Sequence, residues 1–349
     1  MSEDGYCDFS SLTIKPATDS SLTPTLSRGE REQDAPRLNP LPKGEETNEK
    51  SNCQFLNASA NSTLNGRVVA AFGRQYLVRL ADNSLLPCLT RGKKSDVVCG
   101  DLVEIQRSGD NQGVIENILQ RTSLLHRSDA WREKLIAANV SQIIVVVAAE
   151  PSFSDEVVTR CLIAAFDQNL SVLIVLNKCD LAVAAAYARE QLAAYRAIGY
   201  TVLELSAKQD ASALRPYLAG HTSVLVGQSG MGKSTLINAL LPDALAATRE
   251  ISTVLDSGKH TTTHAKLYAL DEQSSLIDCP GVQAFGLHHL SLGRIEQGFI
   301  EFSPYLGLCR FRDCHHLHEP GCALLDAVAN GKINARRLEL FQQIAANKA

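Results

Sequence analysis

The run Gly227-Gln228-Ser229-Gly230-Met231-Gly232-Lys233-Ser234-Thr235 has the spacing Gly-x4-Gly-Lys-Ser, which suits a polyphosphate. Glycines let backbone N–H groups curl around phosphate oxygens. The Lys233 ammonium adds positive charge at the β- and γ-groups, and the Ser234 hydroxyl can hold Mg²⁺. Upstream, Asn177-Lys178-Cys179-Asp180 and Ser206-Ala207-Lys208 carry groups that tell guanine from adenine. The Asp180 carboxylate can accept from guanine's ring N–H and exocyclic amine. Adenine would leave it buried and unpaired, a difference of roughly 10⁴–10⁵ in selectivity. The Lys178 stem can lie over the base, and the backbone of Ser206, Ala207 and Lys208 can meet its carbonyl. Downstream, Asp278-Cys279-Pro280-Gly281 can hold Mg²⁺ through water and sense a γ-phosphate through the Gly281 N–H. The segment Gly258-Lys259-His260-Thr261-Thr262-Thr263 offers hydroxyls for the same ion, of which Thr262 is our choice.

The order of these groups is unusual. A guanine-nucleotide switch ordinarily runs phosphate loop, threonine, aspartate-glycine turn and then base motifs. Here the base motifs come first, so the chain reads as circularly permuted. The residue after Gly281 is Val282, with Gln283 next. A valine cannot orient an attacking water, so unassisted turnover is expected near ~10⁻⁴ to 10⁻³ s⁻¹. His260 is the candidate catalytic residue that could position the water instead; the bland alternative is a histidine facing solvent.

A second kind of chemistry sits near the end of the chain. Cys309-x4-Cys314-x-His316-x5-Cys322 offers three thiolates and an imidazole, a closed tetrahedral set that suits one structural zinc ion. His315 and His318 flank His316, and spacing alone does not choose among them.

These groups need elements to carry them. Residues 142–148, 171–176, 201–205 and 222–226 are apolar, β-branched runs. Between or after them come helix-like stretches at 155–168, 181–198 and 233–241, the pattern of a mostly parallel sheet with helices on both faces. Before this, five short strands at 66–71, 76–80, 84–88, 101–105 and 113–118 fit a small barrel of the oligonucleotide-binding (OB) type. Arg91, Lys93 and Lys94 share one of its loops and could grip RNA phosphates. Residues 1–62 are polar and aperiodic and read as a disordered tail. The expected organisation is therefore tail 1–62, OB barrel 63–122, permuted nucleotide-binding domain 123–290 and a mainly helical zinc-binding domain 291–349.

Among the 349 residues, 34 basic and 38 acidic side chains give a net charge of −4, so no global cationic field points to nucleic acid. The ten cysteines outside any secretory context, and the absence of an apolar run near ~18 residues, lead us to expect a cytoplasmic protein with no membrane contact; a monomer is also expected.

From about residue 65 onward, these motifs resemble the bacterial circularly permuted GTPases called ribosome small subunit-dependent GTPase A (RsgA, also YjeQ). The resemblance implies an OB barrel, a permuted GTPase centre and a C-terminal zinc domain. It implies GTP hydrolysis to GDP in late maturation of the small ribosomal subunit, with rRNA contact and stimulation by the subunit. His316 matches the family's histidine ligand and His260 its switch-loop histidine. The long acidic start, and Val282-Gln283-Ala284-Phe285 where the family commonly has Val-Arg-acidic-Phe, are departures from its pattern.

Overall fold

The computed structural model describes residues 63–92, 96–109, 111–129, 132–242, 265–279 and 285–347. The tail 1–62, Lys93, Lys94, His260, Thr261 to Thr263, and Pro280 to Gln283 with Gly281 lie outside the described residues.

Five strands open the described chain: β1 (Thr63–Phe72), β2 (Gln75–Leu80), β3 (Leu85–Thr90), β4 (Leu102–Arg107) and β5 (Gly113–Ile118). They close in the order β1-β2-β3-β5-β4-β1, with only the β3–β5 pairing parallel. In β3, β4 and β5 buried residues alternate with more exposed ones, as strands lining one small interior require. That interior is a core of its own, including Val68, Val78, Leu86, Val103, Ile105 and Ile115. The Asp82-Asn83 turn works as expected: Asp82 Oδ1 accepts from the Ser84 N–H at 2.9 Å, and Asn83 takes the left-handed φ of 63°.

A hairpin of β6 (Leu124–Asp129) and β7 (Arg132–Ala138) follows, forming a separate two-stranded sheet that the sequence reading did not foresee. The chain then enters the main sheet. Its elements are β8 (Gln142–Ala148), α1 (Asp155–Asp167), β9 (Ser171–Asn177), α2 (Ala182–Ala197), β10 (Val202–Glu204), α3 (Arg215–Leu218), β11 (Thr222–Val226), α4 (Lys233–Leu240), β12 (Lys266–Ala269) and β13 (Ser275–Asp278). In space the strands run β10-β9-β8-β11-β13-β12, all parallel except β12. Every residue of β8 is buried, which explains why this strand is a continuous apolar run rather than an alternating one. At the β12 edge, Ala70 of β1 pairs with Lys266 and joins barrel to sheet.

The C-terminal region holds α5 (Leu292–Gln297), α6 (Ala323–Ala329) and α7 (Ala335–Ala346). Its apolar residues, among them Phe299, Phe302, Leu324 and Phe341, belong to the same continuous core as Ile143, Leu162 and Leu225 of the sheet layer. Three arginines fasten it to α1. Arg336 pairs with Asp155 at 2.7 Å, and Arg337 donates to Thr159 Oγ1 at 2.7 Å. Arg294 reaches Asp167 at 2.9 Å and lies over the Phe166 ring. Among the described residues, no helix is long and apolar enough to cross a membrane.

Candidate nucleotide site and metal centre

Parallel pairing brings three distant motifs to one edge. Asn177 ends β9, Gly227 follows β11, and Asp278 ends β13, so each motif begins at the carboxyl end of a strand. In an open parallel sheet this is where ligands bind. Register adds precision, since Leu225 lies opposite Asp278 and Ala148 opposite Asn177.

Asn177 holds the pieces together. Its carboxamide is 2% exposed. Nδ2 donates to the Met231 carbonyl at 2.9 Å, while Oδ1 accepts from the Ala207 N–H at 2.9 Å and the Lys178 N–H at 2.8 Å. One side chain thus ties the 177–180 turn to the phosphate loop and to the 206–208 loop. The approach requires glycine at 232: a Cβ there would stand 2.3 Å from Asn177 Nδ2, and the backbone has φ 89°. Gly227 is equally constrained, because a Cβ would sit 2.2 Å from the Val146 carbonyl.

The loop curls as a phosphate cradle should. Gly232 precedes α4 with no side chain capping the helix, and the Ser234 and Thr235 side chains are exposed. The first N–H groups of such a helix, with its dipole, favour an anion. Lys233 Nζ folds back onto its own loop, donating to the Gly227 carbonyl at 2.5 Å and the Gln228 carbonyl at 2.9 Å. Burial pushes the Lys233 ammonium below its ordinary range, against the attraction of Asp278. Burial likewise raises the Asp278 carboxyl, with Lys233 and Lys266 opposing. Burial thus works against the charged form of both groups. A polyphosphate beside Lys233 and a divalent cation near Asp278 would favour those charged forms, so the residues fit Mg²⁺ with a nucleotide.

At the base end, Asp180 is exposed. The Ser206 hydroxyl donates to its Oδ1 at 2.6 Å; this bond, aided by the Lys208 and Lys178 charges, holds the carboxyl below the usual range. Lys178, at φ 63°, sends Nζ to the Glu150 carbonyl at 2.7 Å. The Cys179 thiol turns away, to the Leu176 carbonyl at 3.3 Å. Gln228, on the phosphate loop, accepts from the Ser154 N–H at 2.7 Å and so links the loop to the start of α1. Ser229 and Gly230 lie exposed on the same loop, whereas the Met231 side chain is buried under it.

The metal cluster is assembled as the cysteine spacing suggests. One ligand atom from each of Cys309, Cys314, His316 and Cys322 lies within 4.8 Å of the others. Cys309 and Cys322 sulfurs are 3.9 Å apart, and His316 Nδ1 is 3.2 Å from Cys322 Sγ and 3.6 Å from Cys309 Sγ. A tetrahedral ion with ~2.3 Å bonds to sulfur spaces its thiolates by about 3.8 Å, so the cluster could hold a metal. His316 is buried beside the three cysteines, while His315 and His318 are exposed. Sequence reading missed Glu296, whose Oε1 is 2.6 Å from His316 Nε2; nothing in its local pattern distinguishes it from a surface glutamate.

Fold and site together define a P-loop GTPase of permuted strand order, carrying a five-stranded barrel before it and a Cys₃His cluster after it. Comparison with known proteins gives the same class. The family profile described as RsgA GTPase matches residues 118–288. The small ribosomal subunit biogenesis GTPase RsgA of Nitrosospira multiformis is 56% identical over 284 residues, covering 81% of this chain and 91% of that protein. The protein of the same name from Burkholderia pseudomallei is 55% identical over 284 residues, covering 80% and 90%. Among solved structures, YjeQ from Thermotoga maritima is similar with a TM-score of 0.64 and 29% identity, covering 82% of this chain and 99% of that one. YloQ, described as a circularly permuted GTPase, is similar with a TM-score of 0.61 and 26% identity, covering 83% and 96%. The chain belongs to the RsgA family of GTPases.

Proposed function

We propose that this protein hydrolyses GTP to GDP and phosphate as a cytoplasmic factor in late maturation of the small ribosomal subunit, contacts the subunit's rRNA, and is stimulated by the subunit. The observation that carries the nucleotide reading is the Asn177 carboxamide, which bonds to all three loops of the site at once. Asp180 selects guanine, and the Lys178 stem covers the base. The backbone of Ser206, Ala207 and Lys208, held in place by the bond from the Ala207 N–H to Asn177, meets the guanine carbonyl.

Gly227 to Gly232 surround the phosphates with backbone N–H groups. Lys233 exchanges its two loop carbonyls for β- and γ-phosphate oxygens, and Thr235, exposed in the first turn of α4, contributes to the same phosphate site. Ser234, Thr262 and (through water) Asp278 would hold Mg²⁺, which would supply charge neutralisation at the polyphosphate. Gly281 N–H senses the γ-phosphate, and His260 positions the attacking water. The Cys309, Cys314, His316 and Cys322 set holds one zinc ion in an architectural role, with no position left for substrate.

The test is GTP turnover by the purified chain with and without small ribosomal subunits. Slow turnover alone and a large acceleration by small subunits are expected. No acceleration by small subunits would remove the ribosomal part of the reading.

A further inference from the structure

We propose that Glu296 is the positioning residue of the metal cluster and ties it to α1; this rests on the zinc reading above. The imidazole of His316 presents Nδ1 to the sulfurs of Cys322 and Cys309, at 3.2 and 3.6 Å. Its other nitrogen, Nε2, faces Glu296 Oε1 at 2.6 Å. A neutral imidazole that gives its Nδ1 lone pair to a metal carries its proton on Nε2. A carboxylate acceptor fixes that tautomer, fixes the ring and raises the ligand's basicity.

The rest of the residue is held as firmly. His316 has the left-handed φ of 58°, which a side-chain-bearing residue keeps only when its surroundings impose it. Gln342 Nε2 donates to its carbonyl at 2.5 Å, and the Phe341 ring meets the imidazole edge-on at 5.9 Å. Both come from α7, while Glu296 comes from α5.

Helix α5 makes Glu296 more than a local prop. Arg294 and Glu296 are two positions apart, about 200° around a helix, and so leave it on opposite sides. Arg294 points to α1, reaching Asp167 at 2.9 Å with its guanidinium over Phe166; Glu296 points to His316. A single short helix therefore spans from the metal cluster to the last turn of α1, the end away from the phosphate loop. Seating the metal and docking α5 become one event.

The experiment uses the full chain, stripped of metal and reloaded with zinc in competition with a chromophoric chelator, and in parallel with cobalt(II). Glu296→Ala is expected to weaken zinc 10- to 100-fold, about the usual effect of losing such a partner, and to shift the cobalt absorption. Glu296→Gln keeps an oxygen that accepts from Nε2–H and should recover most of the loss. Zinc should slow amide exchange in α5 of the wild type but not of Glu296→Ala. If Glu296→Ala does not fold, Glu296→Asp, one methylene short, should bind more weakly than Glu296→Gln; the reverse order overturns the proposal. Equal zinc affinity and unchanged cobalt spectra in wild type and Glu296→Ala would refute the role of Glu296 alone. Failure of the wild type to take up either metal would refute the metal reading, and this inference with it.

Discussion

The barrel and the C-terminal region are joined to the nucleotide-binding sheet to very different extents. The barrel keeps an apolar core of its own and shares only a small part of its apolar surface with the sheet layer, through Val69 and Ala70 of β1, Leu77 of β2, and Cys99. Arg67 of β1 donates to Thr222 Oγ1 at 3.0 Å, Asn139 Nδ2 donates to the Gly100 carbonyl at 3.0 Å, and Ala70 pairs with Lys266. The C-terminal region shares its core with the sheet layer and adds the three arginine contacts to α1. Pulling the barrel away breaks its few hydrogen bonds to the sheet layer and exposes a small apolar contact. Pulling the C-terminal region away exposes a much larger apolar surface, including Phe299, Phe302 and Phe341, and uncovers the Arg337–Glu301 ion pair. The C-terminal region and α1 thus pack through one shared core, whereas the barrel keeps most of its core to itself.

The largest expected effect lies at Arg337. It is 2% exposed, bonds to Glu301 and Thr159, and stacks on Phe299 at 4.6 Å. Arg337→Ala leaves Glu301 buried without its cation, and urea denaturation should show a loss of about 3–5 kcal/mol. The double variant Arg337→Met/Glu301→Leu should recover most of it, because both charges go together. A single variant that costs no more than a surface change would mean that the C-terminal region is not anchored here.

A smaller effect is expected at the barrel seam. Arg67→Ala removes the bond to Thr222 and a 3.5 Å contact to the Asn139 carbonyl, at a cost of about 1–2 kcal/mol. The same denaturation series checks it. Losses at Arg67 that match those at Arg337 would erase the contrast between the two attachments.

The smallest effect is a pH dependence at Asp167. Burial pushes its carboxyl up, but hydrogen bonds from Arg294 and Gln168 outweigh this and leave it below the ordinary range. A depressed carboxylate stabilises the fold above its unfolded value of about 3.9 and loses that contribution as pH falls through the folded value. The stability gap between wild type and Arg294→Ala should thus be constant from about pH 7 to 5 and shrink below about pH 4. A gap that persists at pH 3 would mean that Arg294 acts through packing on Phe166 instead.

Much of the architecture was legible because local signals and burial agreed. The barrel strands are separated by turn residues such as Asp82-Asn83, and the sheet strands are apolar because both faces are covered. The phosphate loop declares itself through glycines whose need is steric, as at Gly227 and Gly232. The β6–β7 hairpin was not legible: Leu124 to Ser128 and Arg132 to Ala138 carry neither alternation nor a glycine turn. Strand β12 is four residues long, below what periodicity can resolve. Arg337 and Glu296 escaped for a different reason. Charged side chains are expected at the surface, and their burial or partners depend on residues far along the chain. Asn177 was read as part of a base-recognition motif; its carboxamide is spent on holding three loops together.

The account stands most directly on calorimetric titration of GTP and xanthosine triphosphate, with Mg²⁺, into the wild type and Asp180→Asn. Xanthine has a carbonyl where guanine has its exocyclic amine, so an amide at 180 faces an acceptor instead of a donor. The wild type should bind GTP and not the xanthine nucleotide. Asp180→Asn should lose GTP affinity by on the order of 10²-fold or more and gain the xanthine nucleotide. Undiminished GTP binding by Asp180→Asn would contradict the placement of the guanine against this turn.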